Sequence, residues 1–332
     1  MINWFNSGAD MQALYYTEFG AADCMQLGDL PLPVVGKGEV LVKVTAAGLN
    51  PIDVKTRAGK GFVAAGLGER ESFCFVPGYD LAGTVETANE AFAVGSPVIG
   101  MVNFPLTKAG RGAGACAEYC AAVAADLVAA PKRVELALAA ALPLAGLTAW
   151  QGLFQHGALQ TGQRLLVLAG AGGVGHLAVQ LGRSAGAEVG ATASASNQDF
   201  LHSLGAQVCL DYSRPDALAA AGPWDLILDL MGGEVGRQAL DWLAADGLML
   251  TVPTLTAAEL VAAGAAEGKR VQGYTVQPNK DQLIQLVELV DQGALNLHIS
   301  HRLPMAQGPE AHRLLETGHM KGKVILENQS VS

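Results

Sequence analysis

The fold is decided by the stretch Leu165–Val189, which reads LLVLAGAGGVGHLAVQLGRSAGAEV. It starts with a short apolar run and continues through the glycine series Gly170, Gly172 and Gly175. An apolar run of this length bounded by glycine is typical of a buried parallel strand. The segment 174–185 has apolar residues at helical spacing, and a second apolar run follows it. The stretch therefore predicts a strand, a glycine turn, a helix and a second strand.

A turn of this kind directs unpaired backbone N–H groups and the positive end of a helix at an anion. We expect Gly170 to make the tight turn, Gly172 to let the backbone approach a pyrophosphate, and Gly175 to let helix and strand pack closely. Three glycines at this spacing also occur in α/β turns that bind nothing. The second strand, which appears where a dinucleotide fold requires it, favours nucleotide binding over that alternative.

Length, charge and cysteine content limit the class of protein. With 332 residues the chain exceeds the usual size of one domain, so two domains are expected. Its formal net charge of −10 argues against a nucleic-acid partner and favours small molecules. The five cysteines include no CxxC pair, which is typical of reduced thiols and predicts a cytoplasmic location.

The apolar segments do not predict a membrane protein. The first residues, MINWFNSGAD, lack the basic and apolar regions of a secretory signal. The stretch Leu136–Phe154 carries no formal charge and is long enough to raise the question of a membrane span. It is rich in alanine and is interrupted by Pro143 and Gly146, so we expect a buried pair of helices beside the nucleotide site instead.

Two patterns divide the chain into domains. The first third has short strand-like runs between glycines and prolines, which predict a small β-rich domain; they are 39–46, 80–85, 97–101 and 118–123. From about Glu135 helices alternate with six strand candidates, which predict a doubly wound parallel sheet; they are 165–169, 188–191, 208–210, 225–229, 248–252 and 270–275. The tail predicts a helix, a strand, a helix and a strand, at 281–292, near Ile299, at 305–317 and at 323–326. The predicted domains are residues 1–134 and 135–278, followed by a C-terminal segment, 279–332.

Six motifs occur together and in order. They are GLNPIDVKTRAG (48–59), VPGYDLAGTVE (76–86), LPLAGLTAWQGLF (142–154), AGAGGVGHLAVQLGRSAGA (169–187), LHSLGA (201–206) and AHRLLETGHMKGKVIL (311–326). Together they resemble the medium-chain dehydrogenase/reductase superfamily, in its zinc-independent quinone oxidoreductase branch. The resemblance implies a GroES-like β-rich catalytic domain, a Rossmann domain, and a cleft between them for the nicotinamide. It also implies that the C-terminal segment returns to the first domain and that the protein is a homodimer or homotetramer.

The resemblance also implies that no metal is bound. Zinc-dependent relatives place a cysteine, a histidine and a cysteine where this chain has Asn50, Tyr79 and Leu144. Zinc requires about four nitrogen or sulfur ligands, or three and a water molecule, and these positions supply none. Cys116 and Cys120 could share a helical face, but we expect them to be buried small apolar residues.

Three residues are candidates for the chemistry. Asn50 is expected to hold the nicotinamide ribose or a substrate carbonyl. Asp53 is expected either to take part directly or to act as the N-cap of the segment that follows it. Tyr79, at a former metal-ligand position, is expected to face the cleft and donate a proton or hydrogen bond, with a packing role as the alternative. Lys55 and Gly61 stand where close relatives often carry tyrosines, so the aromatic wall beside the substrate is absent.

Cofactor preference depends on the end of the second strand, where residues 191–199 read ATASASNQD. No carboxylate stands at the strand end to bond the ribose hydroxyls of NADH, which favours NADPH, although Asn197 replaces a lysine of some relatives. Tyr212 matches a tyrosine that contacts the 2′-phosphate in relatives, and Arg214 lies two residues further on. Lys323 matches a segment that approaches the cofactor, with a solvated basic turn as the alternative. The expected cofactor-binding residues are Asn50, Thr148, Gly170, Gly172, Gly173, Val174, Gly175, Ser194, Ser196, Asn197, Tyr212, Val252 and Lys323.

These inferences predict a zinc-independent oxidoreductase that transfers hydride from NADPH to a quinone, an enone or a 2-alkenal. An enoyl-thioester reductase is an alternative, for which Lys55, Arg57 and Lys60 form a small basic cluster. A protein that binds NADPH without catalysis, as a sensor or structural protein, is the alternative of another class.

Overall fold

The computed structural model describes residues 5–102 and 114–328. They form two compact units, which we describe separately. The first unit comprises Met1–Leu144, Gln277–Gly293 and Leu297–Ser332, and the second comprises Ala145–Val276 and Ala294–Asn296. The first break between the units thus follows Leu144, whereas the predicted boundary lies at residue 134.

The first part of the chain is mostly β structure, with short helices. Its strands are β1 (Phe5–Tyr15), β2 (Gln26–Pro33), β3 (Glu39–Leu49), β4 (Asp80–Val85), β5 (Pro97–Met101), β6 (Tyr119–Val123) and β7 (Leu127–Ala129). Its helices are α1 (Pro51–Arg57), α2 (Gly61–Gly68) and α3 (Leu136–Ala139). Strands β1 and β2 form a two-stranded antiparallel sheet, and Ala13 on β1 also forms an isolated bridge with Ala117; the sequence pattern predicts neither strand.

The second unit is built around a six-stranded parallel sheet. Its strands are β8 (Arg164–Val167), β9 (Glu188–Ala193), β10 (Val208–Asp211), β11 (Trp224–Asp229), β12 (Leu243–Thr251) and β13 (Arg270–Gly273). Its helices are α4 (Pro143–Trp150, which begins in the first unit), α5 (Gly175–Ser184), α6 (Gln198–Ser203), α7 (Pro215–Ala221), α8 (Gly233–Ala239) and α9 (Ala257–Ala266); a π-helical turn, Gln151–His156, continues α4. The uncharged stretch 136–154 is therefore helical, as expected.

The strand order in this sheet is β10-β9-β8-β11-β12-β13. Every adjacent pair is parallel, which confirms the predicted doubly wound sheet. The chain order reverses between β8 and β11, and ligands of open α/β sheets bind outside the carboxyl ends of the strands at such a switch point. Beneath the sheet, a Cβ at Gly190 would lie 2.2 Å from the ring of Trp224, so this strand position requires glycine.

The C-terminal segment completes the first unit. It contains α10 (Lys280–Gln292), β14 (Ile299–Pro304), α11 (Gly308–Glu316) and β15 (Lys323–Glu327). The seven-stranded sheet has the order β14-β15-β3-β4-β5-β7, with β6 paired to β3. Strand β15 is antiparallel to β3, which places the start of β15 beside the end of β3. Within the described residues, no helix has the length and apolar character needed to cross a membrane.

The structure corrects one expectation about the cysteines of the first unit. Cys120 lies on β6 and Cys116 in the bend before it, so they do not share a helical face. Both side chains are fully buried, as expected for small apolar residues. Burial raises the pKa of each thiol, which keeps both protonated.

Candidate functional site

The turn between β8 and α5 lies at the carboxyl edge of the parallel sheet. Ala169, with φ of 57°, takes the left-handed conformation in this turn, and Gly170, the residue expected to make the tight turn, follows it. Gly170 also allows close packing, because a Cβ there would lie 2.7 Å from the Cβ of Ala191. A Cβ on Gly175 would lie 2.2 Å from the Ala169 carbonyl oxygen, in agreement with its predicted role in close packing. A Cβ on Gly172 would meet only that same oxygen, at 3.3 Å.

The turn keeps two backbone donors available. Gly170 N donates to the carbonyl oxygen of Thr192 at 2.8 Å, and Ala169 N donates to its Oγ1 at 2.9 Å. In the described part of the chain, the N–H groups of Gly173 and Val174 donate to no acceptor. Because they directly precede α5, these donors and the positive end of the helix can bind an anion such as a pyrophosphate.

Asp229, which the sequence analysis missed, organises the other side of the switch point. Its side chain is fully buried at the end of β11. Oδ1 accepts hydrogen bonds from Met231 N at 2.9 Å and Gly232 N at 2.8 Å, and Oδ2 accepts one from Thr251 Oγ1 at 2.7 Å. Val252 N donates to the Asp229 carbonyl oxygen, so the N–H of this expected cofactor-binding residue is already used. The signal in the sequence was an aspartate at a strand end, shortly before two glycines.

The end of β9 carries hydroxyls rather than carboxylates. Ser194 and Ser196 lie together, with their Oγ atoms 3.1 Å apart. Gln198 Nε2 donates to the carbonyl oxygens of Ala193 and Ser194, which holds the chain as it leaves the strand. Asn197 immediately precedes α6. The strand end therefore lacks the negative charge that would repel a 2′-phosphate.

A cavity of about 300 Å³ lies beside this strand end, lined by Ala195, Gln198, Cys209, Leu210, Asp211, Arg214 and Ala217. It contains one residue of each charge, Asp211 and Arg214. Hydrogen bonds from the backbone and side chain of Ser213 hold the pKa of Asp211 below its usual range, so this carboxylate stays ionised. The side chain of Tyr212, between them in sequence, is half exposed.

In the first unit, Lys323 lies in a buried cluster rather than on a solvated basic turn. Its side chain is 3% exposed at the start of β15. Nζ donates to Leu49 O at 2.9 Å, to Asn50 Oδ1 at 2.5 Å and to Asp80 Oδ2 at 2.9 Å. Asn50 Nδ2 in turn donates to Asp80 Oδ2 at 2.9 Å and to Gly48 O at 3.3 Å. These bonds use both ends of the Asn50 amide, which cannot donate to a ribose or a substrate carbonyl without breaking one.

Asp53 has a structural position, different from the expected N-cap. Helix α1 begins at Pro51, so Asn50 is the N-cap residue and Asp53 is the third residue of the helix. The Asp53 carboxylate accepts two hydrogen bonds, one from Asn50 N to Oδ2 at 2.8 Å and one from Gly78 N to Oδ1 at 2.9 Å. Burial raises the pKa of Asp53 to about 7, although these two hydrogen bonds oppose the shift. Its side chain is fully buried and contacts no solvent.

Tyr79 and Thr148 are also enclosed, each with a side chain 1% exposed. Burial raises the pKa of Tyr79, and the charge of Asp53 adds to the effect, so the phenol keeps its proton. The burial of Tyr79 fits its alternative packing role better than a hydroxyl open to solvent. Thr148 contributes a carbonyl oxygen that accepts a 2.8 Å bond from Tyr274 Oη.

The three positions that hold metal ligands in zinc-dependent relatives lie around Asp80. Asn50 bonds it through the amide, Tyr79 precedes it in sequence, and Leu144 N donates to Asp80 Oδ1 at 2.6 Å. Among the residues that the structure describes, no group of three or more His, Cys, Asp or Glu side chains is placed to hold a metal ion. The buried Lys323–Asp80 pair therefore joins these segments through an ammonium and a carboxylate.

The predicted basic cluster of α1 is not a surface feature. Arg57 is 1% exposed and forms an ion pair with Glu316 of α11. Lys55 is partly buried, and burial lowers its pKa. Only Lys60 of the three is exposed. Of these three cations, a phosphorylated carrier would therefore meet one that is exposed.

Known families match both parts of the chain. The alcohol dehydrogenase GroES-like domain matches residues 36–132, and the zinc-binding dehydrogenase family matches residues 204–326. The 2-methylene-furan-3-one reductase of Solanum lycopersicum is 32% identical over 96% of this chain and 79% of its own length. The chloroplastic NADPH-dependent alkenal/one oxidoreductase of Arabidopsis thaliana is 31% identical over the same shares. The structure of the quinone oxidoreductase from Coxiella burnetii is 37% identical, with a TM-score of 0.90 over 97% of this chain and 100% of that one. The chain therefore belongs to the medium-chain dehydrogenase/reductase superfamily and is an enzyme with a GroES-like and a Rossmann-like part.

Proposed function

We propose that the protein reduces a quinone, an enone or a 2-alkenal with NADPH. The observation that carries the proposal is the turn between β8 and α5, which leaves the N–H groups of Gly173 and Val174 available at the switch point of the sheet. The relatives supply the substrate class, because their names describe reduction of a furanone, an alkenal or enone, and a quinone.

The described residues fit a dinucleotide. Gly173 and Val174 would bind the pyrophosphate, and the open side of Gly172 lets it approach the backbone. The Asp229–Thr251 hydrogen bond holds the ends of β11 and β12, and so fixes the backbone around Val252. When bound, the nicotinamide supplies the hydride, and the protein's contribution is to bind and orient it.

NADPH rather than NADH is favoured by the end of β9 and by the neighbouring cavity. Ser194 and Ser196 offer hydroxyls without negative charge, and Arg214 offers a guanidinium within the cavity. Asp211 opposes a phosphate in the same cavity, so Arg214 has to outweigh it. Tyr212 is exposed enough to contact the phosphate as well.

A proton must also reach the reduced substrate, and three candidates do not suit this role. Asn50, Asp53 and Tyr79 are each at most 2% exposed, and the amide of Asn50 and the carboxylate of Asp53 bond within the protein. We assign these residues to positioning the backbone at the start of α1. Since none of these three residues suits the role, we propose that the proton comes from solvent.

Cofactor titration followed by an acceptor screen tests the proposal. NADPH binding should quench protein fluorescence at lower concentration than NADH, and NADPH should then be oxidised by at least one quinone, enone or 2-alkenal in metal-free buffer. Binding without turnover across a broad panel would favour the non-catalytic alternative. Turnover restricted to enoyl thioesters would favour the thioester reductase. The burial of Arg57 argues against that alternative, because it removes one cation from the basic cluster that would bind a phosphorylated carrier.

Arg214→Ala tests the cofactor preference, with Arg183→Ala as the matched control on the exposed face of α5. Loss of a charge-assisted hydrogen bond should weaken NADPH binding by about tenfold or more and leave NADH binding unchanged. The control should change neither. Equal weakening of both nucleotides by Arg214→Ala would contradict a contact with the 2′-phosphate.

A homodimer or homotetramer and a cytoplasmic location complete the proposal. Light scattering of the purified protein distinguishes either oligomer from a monomer, and fractionation of the source cells tests the location.

A further inference from the structure

A fully buried histidine, His176, is the second residue of α5 and is bonded to the glycine turn that precedes the helix. Side chains of a helix lean towards its N-terminus, so the imidazole reaches back along the chain. Its Nδ1 lies 3.0 Å from the carbonyl oxygen of Gly172, four residues earlier. A carbonyl oxygen only accepts hydrogen bonds, so Nδ1 carries a proton and donates it to this bond.

The same carbonyl oxygen accepts a second hydrogen bond from His176. The backbone N–H of His176 donates to Gly172 O at 3.0 Å, as in an ordinary helical ladder. A carbonyl oxygen has two lone pairs, so the two donors of His176 can use both of them. Because one of these donors is a ring that is fully buried, the Gly172 carbonyl is held in one direction.

The direction of this carbonyl sets the direction of the Gly173 N–H. Both groups belong to one planar trans peptide unit, in which they point opposite ways. In the part of the chain that the structure describes, the Gly173 N–H is one of the two donors that the turn keeps available. Glycine on both sides of the peptide unit restricts its rotation very little, so another orientation would turn the N–H away. The bond from the His176 ring therefore holds a donor of the turn in place.

Gln180, one turn further along α5, shows that a side-chain amide can make the same kind of bond. Its Nε2 donates to the carbonyl oxygen of His176, again four residues earlier, at 2.8 Å. The amide also bonds to the backbone of Asn296, from Nε2 to the carbonyl oxygen at 3.0 Å and from Asn296 N to Oε1 at 2.8 Å. None of these bonds reaches the turn. Gln180 is thus a buried side chain of the same helix, with a similar bond but no contact with a donor of the turn.

We propose that His176 is a positioning residue of the pyrophosphate site, which holds the Gly172–Gly173 peptide unit in the orientation that presents the Gly173 N–H to the ligand. The inference rests on the proposed function, in which this N–H binds the pyrophosphate of NADPH. NADPH and NADH share the pyrophosphate, so His176 strengthens the binding of both nucleotides by the same factor. It acts on nucleotide affinity and leaves the rate of hydride transfer unchanged.

Fluorescence titration and steady-state kinetics of the full chain test this role. His176→Phe keeps a ring and removes its donor, and His176→Leu does so with a smaller side chain. Either variant should weaken NADPH and NADH binding alike, by about three- to tenfold, and raise the KM for NADPH with kcat changed by less than about twofold. His176→Gln should restore binding to within about twofold of the native protein, because its amide can donate to Gly172 O as Gln180 donates to His176 O.

Gln180→Leu is the matched control, since it removes a buried side-chain bond from the same helix. It should lower the unfolding midpoint and leave nucleotide binding unchanged. Native affinity in both His176→Phe and His176→Leu, no recovery in His176→Gln, or equal weakening in Gln180→Leu would overturn the proposal.

Crystal structures without nucleotide test the peptide orientation separately from the proposed function. The native protein should show one orientation of the Gly172–Gly173 unit, and His176→Leu should show a rotated unit or two orientations. One unchanged orientation in both crystals would overturn the inference, even where NADPH binds and is oxidised. A native protein that binds neither nucleotide would overturn the proposed function and, with it, the role of His176 in binding, whereas the crystals would still show whether His176 orients the peptide unit.

Discussion

The turn between β8 and α5 and the cluster of Asn50, Asp80 and Lys323 use their polar groups in opposite ways. The turn is bonded to Thr192 on one side and leaves backbone donors available on the other. The cluster pairs an ammonium, a carboxylate and an amide with one another, inside the first unit. A binding site needs groups that remain available to a ligand, whereas a scaffold needs its groups satisfied. The comparison therefore supports the proposal that the nucleotide binds at the turn, and it gives the cluster a structural role.

Lys323→Met should have the largest effect, because it leaves the buried Asp80 carboxylate without its counter-charge. Breaking a buried pair in this way costs about 3–5 kcal/mol of unfolding free energy. Arg302→Met is the matched control, since Arg302 pairs with Glu135 and Glu327 in partly exposed positions, where about 0–1 kcal/mol is expected. Urea unfolding followed by circular dichroism measures both, and equal losses would show that the cluster is no scaffold.

Gly175→Ala and Gly172→Ala separate packing from binding within the turn. A Cβ at Gly175 meets the Ala169 backbone, so we expect a loss of about 1–3 kcal/mol in stability together with loss of NADPH binding. Gly172→Ala should change stability by less than about 0.5 kcal/mol and weaken NADPH binding alone. Thermal unfolding and fluorescence titration of the same preparations give both quantities. Unchanged NADPH binding in Gly172→Ala would place the pyrophosphate elsewhere.

Asp53, which joins the cluster to Gly78, should make stability depend on pH. Its pKa is raised from 3.8 to about 7 in the folded protein, so the folded state holds this proton more tightly than the unfolded state. The contribution of this proton to stability is complete below about pH 4 and is lost as the pH rises through about 7. Between these values the equilibrium constant for unfolding should rise by up to about tenfold per pH unit.

Asp53→Asn isolates this effect, because the amide resembles the protonated carboxyl. The difference in unfolding free energy between the native protein and Asp53→Asn should slope between pH 4 and 7 and be flat outside that range. A difference that does not vary with pH would mean that Asp53 titrates normally. The turn contains no ionisable side chain that would give such a slope.

Tyr79→Phe should have the smallest effect on turnover. Since the phenol is buried, kcat should change by less than about twofold, whereas stability should fall with the loss of a buried hydroxyl contact. Steady-state kinetics with NADPH and the best acceptor from the screen measure this. A tenfold loss of kcat at unchanged stability would restore Tyr79 as the proton donor.

The second unit could be predicted well because its signals are local. The apolar strands and the glycine turn follow one another along the chain, and the observed strands β8–β13 overlap all six predicted ones. The hairpin β1–β2 was missed because β2 contains Pro31 and Pro33 and has no fully buried residue, so it shows no clear alternation. The left-handed conformation of Ala169 also has no sequence signal, since this position is usually filled by glycine or asparagine.

The site was harder to predict because its side-chain partners are distant in sequence. Lys323 is 273 residues from Asn50 and 243 from Asp80, and no spacing rule connects them. The sequence showed a polar Asn50, Asp53 and Tyr79 near a family motif, but the burial that makes them structural depends on how distant segments of the first unit pack together. Asp229 was missed for the same reason, since its role depends on Thr251 in the neighbouring strand.

The position of β15 bears on the order in which the protein is made and folds. The second unit is nearly continuous in sequence, so the ribosome can release almost all of it before β15 is synthesised. The sheet of the first unit is different, because β3 pairs with β15, which is synthesised only after the whole second unit. Until then Asp80 has no ammonium to pair with, and the nascent first unit should depend on chaperones for longer than the second.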